Sequence, residues 1–126
     1  MKNKRLNNNF LYEFRNYAFS KIRESKVYLV GSARFQDYFI KIESILQIKY
    51  KKLVSICSID GLLNKKEFST EEWEILQEIA LRKLEYQEAI LIIDVNDYIG
   101  HHSREEIEFF TCKLKRPVYY LSKLKV

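Results

Sequence analysis

The stretch Ala89-Ile90-Leu91-Ile92-Ile93-Asp94 decides the fold of this chain, because five apolar residues in a row are followed directly by a carboxylate. A strand with one face in water alternates apolar and polar residues, whereas this run is apolar on both faces. Such a run is typical of a central strand in a parallel sheet that helices cover on both sides. It is also far shorter than the roughly 20 residues that span a bilayer.

Three other apolar runs alternate with helical patterns along the chain. Together with the first run, they predict strands at 26–30, 53–57, 89–95 and 118–122. Apolar residues at spacings of three and four predict helices over about 9–24, 34–50, 70–87 and 104–114. Ser69 with Glu72 forms a capping box that opens the third of these helices. Loops are expected over 60–68, where Asp60-Gly61 marks a turn, and over 96–102.

This alternation of helices and strands predicts the architecture. Right-handed crossovers between parallel strands give an α/β, Rossmann-like or flavodoxin-like three-layer sandwich with a mainly parallel four-stranded sheet. The length of 126 residues suits one domain, 1–126, in which 1–25 form an extra, basic amphipathic helix. Ligands of such sheets bind beyond the carboxyl ends of the strands, so we expect the functional residues there.

Charge is spread unevenly over the chain, whose formal net charge is +5. Residues 1–26 hold seven basic and two acidic side chains, and residues 27–112 carry a net charge of −5. Five more basic residues and no acidic one lie between Lys113 and Lys125. Basic and aromatic residues mix near the N-terminus as in nucleic-acid-binding segments, but the acidic middle disfavours a nucleic-acid groove. The predicted N-terminal helix has an apolar face, which we expect to pack on the sheet or on another subunit. The residues of this face are Phe10, Leu11, Phe14, Tyr17 and Ile22.

The cysteines and histidines indicate neither a disulfide framework nor a metal site. Cys57 and Cys112 lie among apolar residues, which predicts two buried, reduced thiols in a cytoplasmic protein. His101-His102 lacks the spacing of metal-binding histidines, so we expect no metal and no cofactor. No membrane span is expected, and no apolar stretch of a secretory signal follows Lys2.

Polar residues follow the first expected strand at a turn. Gly31 permits a sharp turn, and the helix after it would present unpaired N–H groups that suit an anion. Ser32 adds a hydroxyl group and Arg34 a fork of donors. One interpretation is a substrate-binding turn, and the other is a plain strand-to-helix turn with Ser32 as its N-cap.

A second polar cluster follows the third expected strand and runs from Asp94 to Glu106. It holds Tyr98, two histidines and several carboxylates. Ser103 with Glu106 has the spacing of a capping box, which opens the helix at 104. Glu106 would then be the third helical residue, where the helix dipole helps to keep it ionised. An ionised Glu106 could act as a nucleophile or base, but a capping glutamate needs no chemistry.

These stretches resemble the nucleoside 2-deoxyribosyltransferase-like superfamily, which includes the 2'-deoxynucleoside 5'-phosphate N-hydrolases. The run Tyr28-Leu29-Val30-Gly31-Ser32-Ala33-Arg34 looks like the first-strand motif of that group. Motifs of a related branch of small proteins resemble, in the same order, the segments 82–85, 92–100, 103–109 and 115–121. The resemblance covers about 26–122. The chain differs from the related branch at Ala80, where a histidine is expected, at His101-His102, where a small polar pair is expected, and at Asp94, where an amide is common.

The resemblance implies a role for each of these residues. Glu106 matches the glutamate that attacks the anomeric carbon and carries a covalent sugar intermediate, and Tyr28 and Asp94 match positions near it. Ser32 and Arg34 match the turn that holds sugar or phosphate oxygens. The substrate-binding residues expected in all are Gly31, Ser32, Arg34, Tyr98 and Ser103. A carboxylate beside the anomeric carbon also suits the chemistry, because N-glycosidic cleavage passes through an oxocarbenium-like state.

Three functions remain open at this point. The first is cleavage or deoxyribosyl transfer at the N-glycosidic bond of a nucleoside or nucleotide. The resemblance implies that such an enzyme is a homo-oligomer. The second is a non-catalytic sensor of the same fold that binds a nucleotide. The third is an interaction protein that binds nucleic acid or a protein partner through its basic segment, 1–26.

Overall fold

The computed structural model describes residues 4–126 and has a four-stranded sheet at its centre. The strands are β1 (Lys26–Gly31), β2 (Leu53–Ser55), β3 (Ala89–Ile93) and β4 (Val118–Tyr120). All neighbouring strands pair in parallel, in the order β2-β1-β3-β4. The predicted α/β fold with a parallel four-stranded sheet is confirmed, although β2, β3 and β4 each end two residues earlier than expected.

Helices cover both faces of this sheet. The α-helices in residues 4–126 are α1 (Asn8–Tyr12), α2 (Gln36–Ile48), α3 (Ile59–Leu63), α4 (Thr70–Leu84), α5 (His101–Glu108) and α6 (Leu121–Leu124). Single turns of 3₁₀-helix lie at Phe19–Lys21, Ala33–Phe35, Lys65–Glu67 and Val95–Asp97, and a π-helical turn, Phe109–Leu114, continues α5. None of the helices in residues 4–126 is long and apolar enough to cross a membrane.

The sheet separates two hydrophobic cores. Val27 and Leu29 of β1 point to the face that α2, α6 and the N-terminal segment cover. Tyr28 and Val30 point to the opposite face, where they pack with residues of α4, α5 and the π-helical turn. This division follows from the alternation of side chains along a strand. It places Tyr28 on the same side of the sheet as α5.

The N-terminal segment does not form the predicted helix over 9–24. After α1 its backbone pairs with the end of the chain, where the Ala18 N–H donates to the Leu124 carbonyl at 2.8 Å. The Val126 N–H likewise donates to the Asn16 carbonyl at 2.7 Å. A continuous helix would use these backbone groups internally, so the pairing with the C-terminus takes them out of the helix.

The apolar side chains of this segment nevertheless pack as expected. Phe14, Phe19 and Ile22 are all buried in the core that contains α2. Their spacings of five and three residues do not follow one face of a helix. The prediction that the segment packs on the body of the protein is therefore confirmed, while its predicted conformation is wrong.

Several other boundaries differ from the sequence expectations. The predicted loop over 60–68 contains α3, because the Ser58 hydroxyl accepts a hydrogen bond from the Gly61 N–H at 3.1 Å and caps a helix there. The expected capping box of Ser69 and Glu72 is present at the start of α4. The thiol prediction is wrong for Cys112, which is exposed on the π-helical turn, whereas Cys57 is half-buried.

Gly31 at the end of β1 lies where no side chain fits. A Cβ atom added to it would lie 3.1 Å from both the Cβ and the backbone oxygen of Ile93, and 3.2 Å from the ring of Phe39. Gly31 pairs with Ile93 in the sheet, so the contact follows from the register of β1 and β3. A glycine is needed here for close approach of the backbone.

We predict that Gly31→Ala lowers the free energy of unfolding by about 2–3 kcal/mol, because the new methyl group meets a backbone oxygen that cannot move aside. Gly100→Ala is the matched control, since its Cβ would lie 3.8 Å or more from its neighbours. The control should lose less than about 1 kcal/mol. Urea denaturation measures both values, and equal losses would contradict the close-approach account.

Candidate active site

A cavity of about 340 Å³ opens at the carboxyl end of β1. β1 lies between β2 and β3: the chain passes from β1 to β2 on one side and then crosses to β3 on the other side, so the strand order reverses here and a crevice forms at the end of β1. The walls of the cavity come from the turns after β1 and β2, from α4, and from the first residues of α5. Its volume is in the range of small-molecule sites, roughly 300–1,000 Å³.

The start of α5 determines where the predicted site residues lie. The helix begins at His101, three residues earlier than expected, and its N-cap is Gly100, which has no side chain to satisfy the first N–H groups. Ser103 is therefore the third helical residue and Glu106 the sixth. The predicted capping box of Ser103 and Glu106 is wrong, because both residues lie inside the helix and not at its start.

Glu106 does not cap α5, and its side chain lines the cavity. The residue is only 6% exposed, and its Oε2 is buried with no hydrogen-bond partner among residues 4–126. Burial, with a smaller contribution from Glu105, raises the pKa of the Glu106 carboxyl to about 8. The expectation that the helix dipole keeps Glu106 ionised is wrong, since desolvation outweighs a dipole that acts mainly within the first turn.

Tyr28 lies beside Glu106 beneath the cavity. Its side chain is fully buried, and its hydroxyl has no hydrogen-bond partner among the described residues. Burial raises the pKa of this phenol, and the charge of Glu106 raises it further, so the two groups are electrostatic neighbours. An unpartnered buried polar group costs about 1–3 kcal/mol, and buried ionisable groups with such perturbed pKa values cluster at functional sites.

Cys57 completes this buried group. It follows β2, lines the cavity and is half-buried. Burial and the neighbouring Glu106 raise the pKa of its thiol to about 11. Because this pKa lies well above that of Glu106, the carboxyl group ionises at a lower pH than the thiol, and Glu106 is the stronger candidate nucleophile in this cavity.

Asp94 lies outside the cavity that Glu106 lines. Its carboxylate accepts a hydrogen bond from the Ser122 N–H at 2.9 Å and another from the Ser122 hydroxyl at 2.6 Å. These bonds hold the start of α6, and the residues that line the cavity do not include Asp94. The structure therefore does not bring Asp94 to Glu106, and it gives Asp94 a structural task instead.

The turn after β1 serves both as a helix cap and as a wall of the cavity. The Ser32 hydroxyl accepts a hydrogen bond from the Arg34 N–H at 3.3 Å and also lines the cavity. Ser32 lies close to the start of α5, because a Cβ on Gly100 would be 4.0 Å from the Ser32 Cβ. The Arg34 guanidinium group lies over the ring of Tyr98, 3.9 Å from its centroid.

The cavity brings together most of the predicted site residues. Those that line it are Gly31, Ser32, Tyr98, Ser103 and Glu106. Arg34 lines a second, adjoining cavity together with Tyr98 and Ser32.

α4 contributes a wall of the cavity that the sequence did not predict. Trp73 lines the cavity, stacks on Phe68 with ring centroids 5.7 Å apart, and lies 6.4 Å from the ring of His102. Gln77 donates from Nε2 to the His102 carbonyl at 3.1 Å and to Glu105 Oε1 at 3.2 Å, which ties α4 to α5. One pattern in the sequence could have indicated this wall. Gln77 lies four residues after Trp73, so the two side chains share a helical face, and a polar residue on an otherwise apolar face suggests a site.

Comparison of the chain with protein-family models, with curated proteins and with solved structures gave no match. The resemblance to nucleoside 2-deoxyribosyltransferase-like proteins therefore stays a prediction that depends on short motifs.

We predict that Tyr28→Phe raises the free energy of unfolding by about 1 kcal/mol, because it removes a buried hydroxyl that has no partner. Tyr119→Phe is the matched control, since the Tyr119 hydroxyl donates to Glu24 Oε1 at 2.8 Å and its removal should destabilise the protein. Thermal and urea denaturation of the two variants measure the contrast. A loss of stability in Tyr28→Phe as large as that in the control would show that the Tyr28 hydroxyl is hydrogen-bonded.

Proposed function

We propose that this protein cleaves the N-glycosidic bond of a nucleoside or nucleotide, or transfers its sugar, with Glu106 as the group that meets the anomeric carbon. The observation that carries the proposal is a buried, unpartnered carboxyl group in a cavity at the carboxyl edge of a parallel sheet. A carboxyl group held in this way is available to a ligand, since no other described side chain engages its Oε2.

The proposed reaction uses the ionised form of Glu106. The bond between the anomeric carbon and the base breaks, and the base leaves with the bonding electron pair and takes up a proton from water. The Glu106 carboxylate stabilises the positive charge that develops on the sugar and forms an ester with the anomeric carbon. Water then releases the sugar, or a second base accepts it. Because the carboxylate is desolvated, its attraction for the developing charge is stronger than in water.

Tyr28 is the proposed positioning residue for this carboxyl group. The raised pKa of its phenol keeps it protonated at any working pH, so it can act only as a neutral hydrogen-bond partner. Its hydroxyl has no partner among residues 4–126, which leaves its hydrogen free for an ionised Glu106.

The remaining walls suit the other parts of a nucleoside. Trp73, backed by Phe68, offers a flat aromatic surface on which a base can stack. The N-terminus of α5 faces the cavity through Gly100 and His101, and its unpaired N–H groups suit sugar or phosphate oxygens. Lys65 also lines the cavity and adds a positive charge.

A sensor that binds a nucleotide without turnover is the second candidate, and the position of Asp94 favours it. Because Ser122 holds Asp94, Glu106 is the one carboxyl group among the described residues that lines the cavity. Glycoside-cleaving enzymes commonly use a pair of carboxyl groups, one as acid and one as nucleophile or base. A site with a single carboxyl group can bind a nucleotide and lack the reaction.

We predict that base release by the wild-type protein rises from about pH 6 to about pH 9, because the pKa of Glu106 is near 8 and only its ionised form attacks. Glu106→Gln should lose at least about 10³-fold in rate, since it keeps the shape of the side chain but removes the charge. Released base is measured by chromatography over a panel of nucleosides and their 5'-phosphates.

Glu108→Gln is the control for this experiment, because Glu108 lies on α5 with Glu106 but is exposed and does not line the cavity. The control should keep its rate within about threefold of the wild type. Nucleotide binding by a wild type that releases no base would favour the sensor. Base release that survives Glu106→Gln would exclude the proposed role of this residue.

A further inference from the structure

A second cavity of about 490 Å³ adjoins the candidate active site. The two cavities share four lining residues, Ser32, Ala33, Lys65 and Tyr98. A ligand that meets Glu106 in the first cavity can therefore extend into the second one past Tyr98 and Lys65. The second cavity is comparable in size to the first, so it offers room for a substantial part of such a ligand.

The second cavity is positively charged. Arg34, Lys65 and Lys66 line it, against the single carboxylate of Glu67 among the described residues, which leaves a net charge of +2. Within residues 4–126 none of the three cations belongs to an ion pair. Cations that converge without an ion-pair partner favour an anionic ligand.

These cations come from two different walls. Arg34 belongs to the turn after β1 and lies 3.9 Å from the ring centroid of Tyr98. Lys65 and Lys66 belong to the 3₁₀-helical turn between α3 and α4, and Lys65 Nζ lies 5.9 Å from the ring centroid of Trp73. Each of these rings lines the first cavity, so the cations flank the passage between the two cavities. Two groups of cations, Arg34 on one wall and Lys65 with Lys66 on the other, suit a ligand that carries two anionic groups.

We propose that the second cavity binds the diphosphate group of a nucleotide, so that the substrate is a nucleoside 5'-diphosphate or a conjugate linked through a diphosphate. This inference rests on the proposed function, because it takes the sugar to lie at Glu106. One phosphate accepts the two-pronged hydrogen bonds of the Arg34 guanidinium group, and the other meets the ammonium groups of Lys65 and Lys66. The part of a conjugate beyond the diphosphate continues into the rest of the second cavity.

Inorganic pyrophosphate tests this site without any assumption about the base. We expect calorimetric titration at low salt to give at least tenfold tighter binding of pyrophosphate than of inorganic phosphate. Lys66→Gln, which changes a residue of the second cavity alone, should weaken pyrophosphate binding about five- to tenfold. Lys21→Gln is the matched control, because Lys21 is exposed on the N-terminal segment, and it should leave binding unchanged. Equal affinities for the two anions, no binding of pyrophosphate, or an unchanged Lys66→Gln would overturn the proposal.

A second arm separates this proposal from the glycosidic function. Base release from a nucleoside 5'-diphosphate that saturating pyrophosphate does not inhibit would keep the function and overturn the diphosphate site. Pyrophosphate binding that depends on Lys66, without base release from any nucleotide, would keep the site and overturn the function. A comparison of ADP with ADP-ribose then distinguishes the two sources of the diphosphate, since a conjugate substrate requires the tighter binding of ADP-ribose.

Discussion

The pairing of β1 with β3 is the constraint on which the rest of the structure depends. The two strands run side by side over five residue pairs, from Val27 opposite Ala89 to Gly31 opposite Ile93. At the last pair the backbone of β1 lies so close to Ile93 that a side chain would not fit, so position 31 must be a glycine. The turn after β1 lies beside the loop that leads from β3 into α5. The register of one strand pair therefore sets Tyr28 beneath Glu106 and Ser32 beside the start of α5.

The same arrangement leaves polar groups in the interior without partners. Glu106 and Tyr28 each bury an oxygen atom that has no hydrogen bond in the described structure, and each such atom lowers stability. Asp94 shows that this chain can satisfy a buried carboxylate, since Ser122 engages both of its oxygens. The contrast between the two carboxyl groups is the reason for assigning a ligand to Glu106 and a structural role to Asp94.

The sheet could be predicted because the strands are short and apolar on both faces, a pattern that few other structures share. The strand ends were less certain, because apolar residues such as Cys57 and Val95 continue past the last ladder hydrogen bond. The prediction of an N-terminal helix was wrong for a different reason. Its apolar spacing also suits a segment that packs through tertiary contacts, and the pairing with the C-terminus is a long-range feature that local periodicity does not contain.

The candidate site was predictable where its residues follow β1 and β3, and not where they come from elsewhere. A serine and a glutamate three residues apart mark a helix start, but the same pair also occurs on one face inside a helix. In the structure α5 begins at His101, directly after Gly100, so Ser103 and Glu106 lie inside the helix. Trp73 and Lys65 were missed because the crossover between β2 and β3 brings them to the sheet edge from well outside the strand ends.

The titration of the Glu106 carboxyl group tests the account most directly. Carbon-13 spectra of protein labelled at the glutamate carboxyl carbons, recorded between about pH 3 and pH 10, follow each carboxyl group separately. The account predicts one resonance that titrates near pH 8, as burial of Glu106 requires, and that is absent from Glu106→Gln. A Glu106 resonance that titrates between about pH 4 and pH 5, as an exposed glutamate does, would contradict the buried and unpartnered carboxyl group on which the candidate site depends.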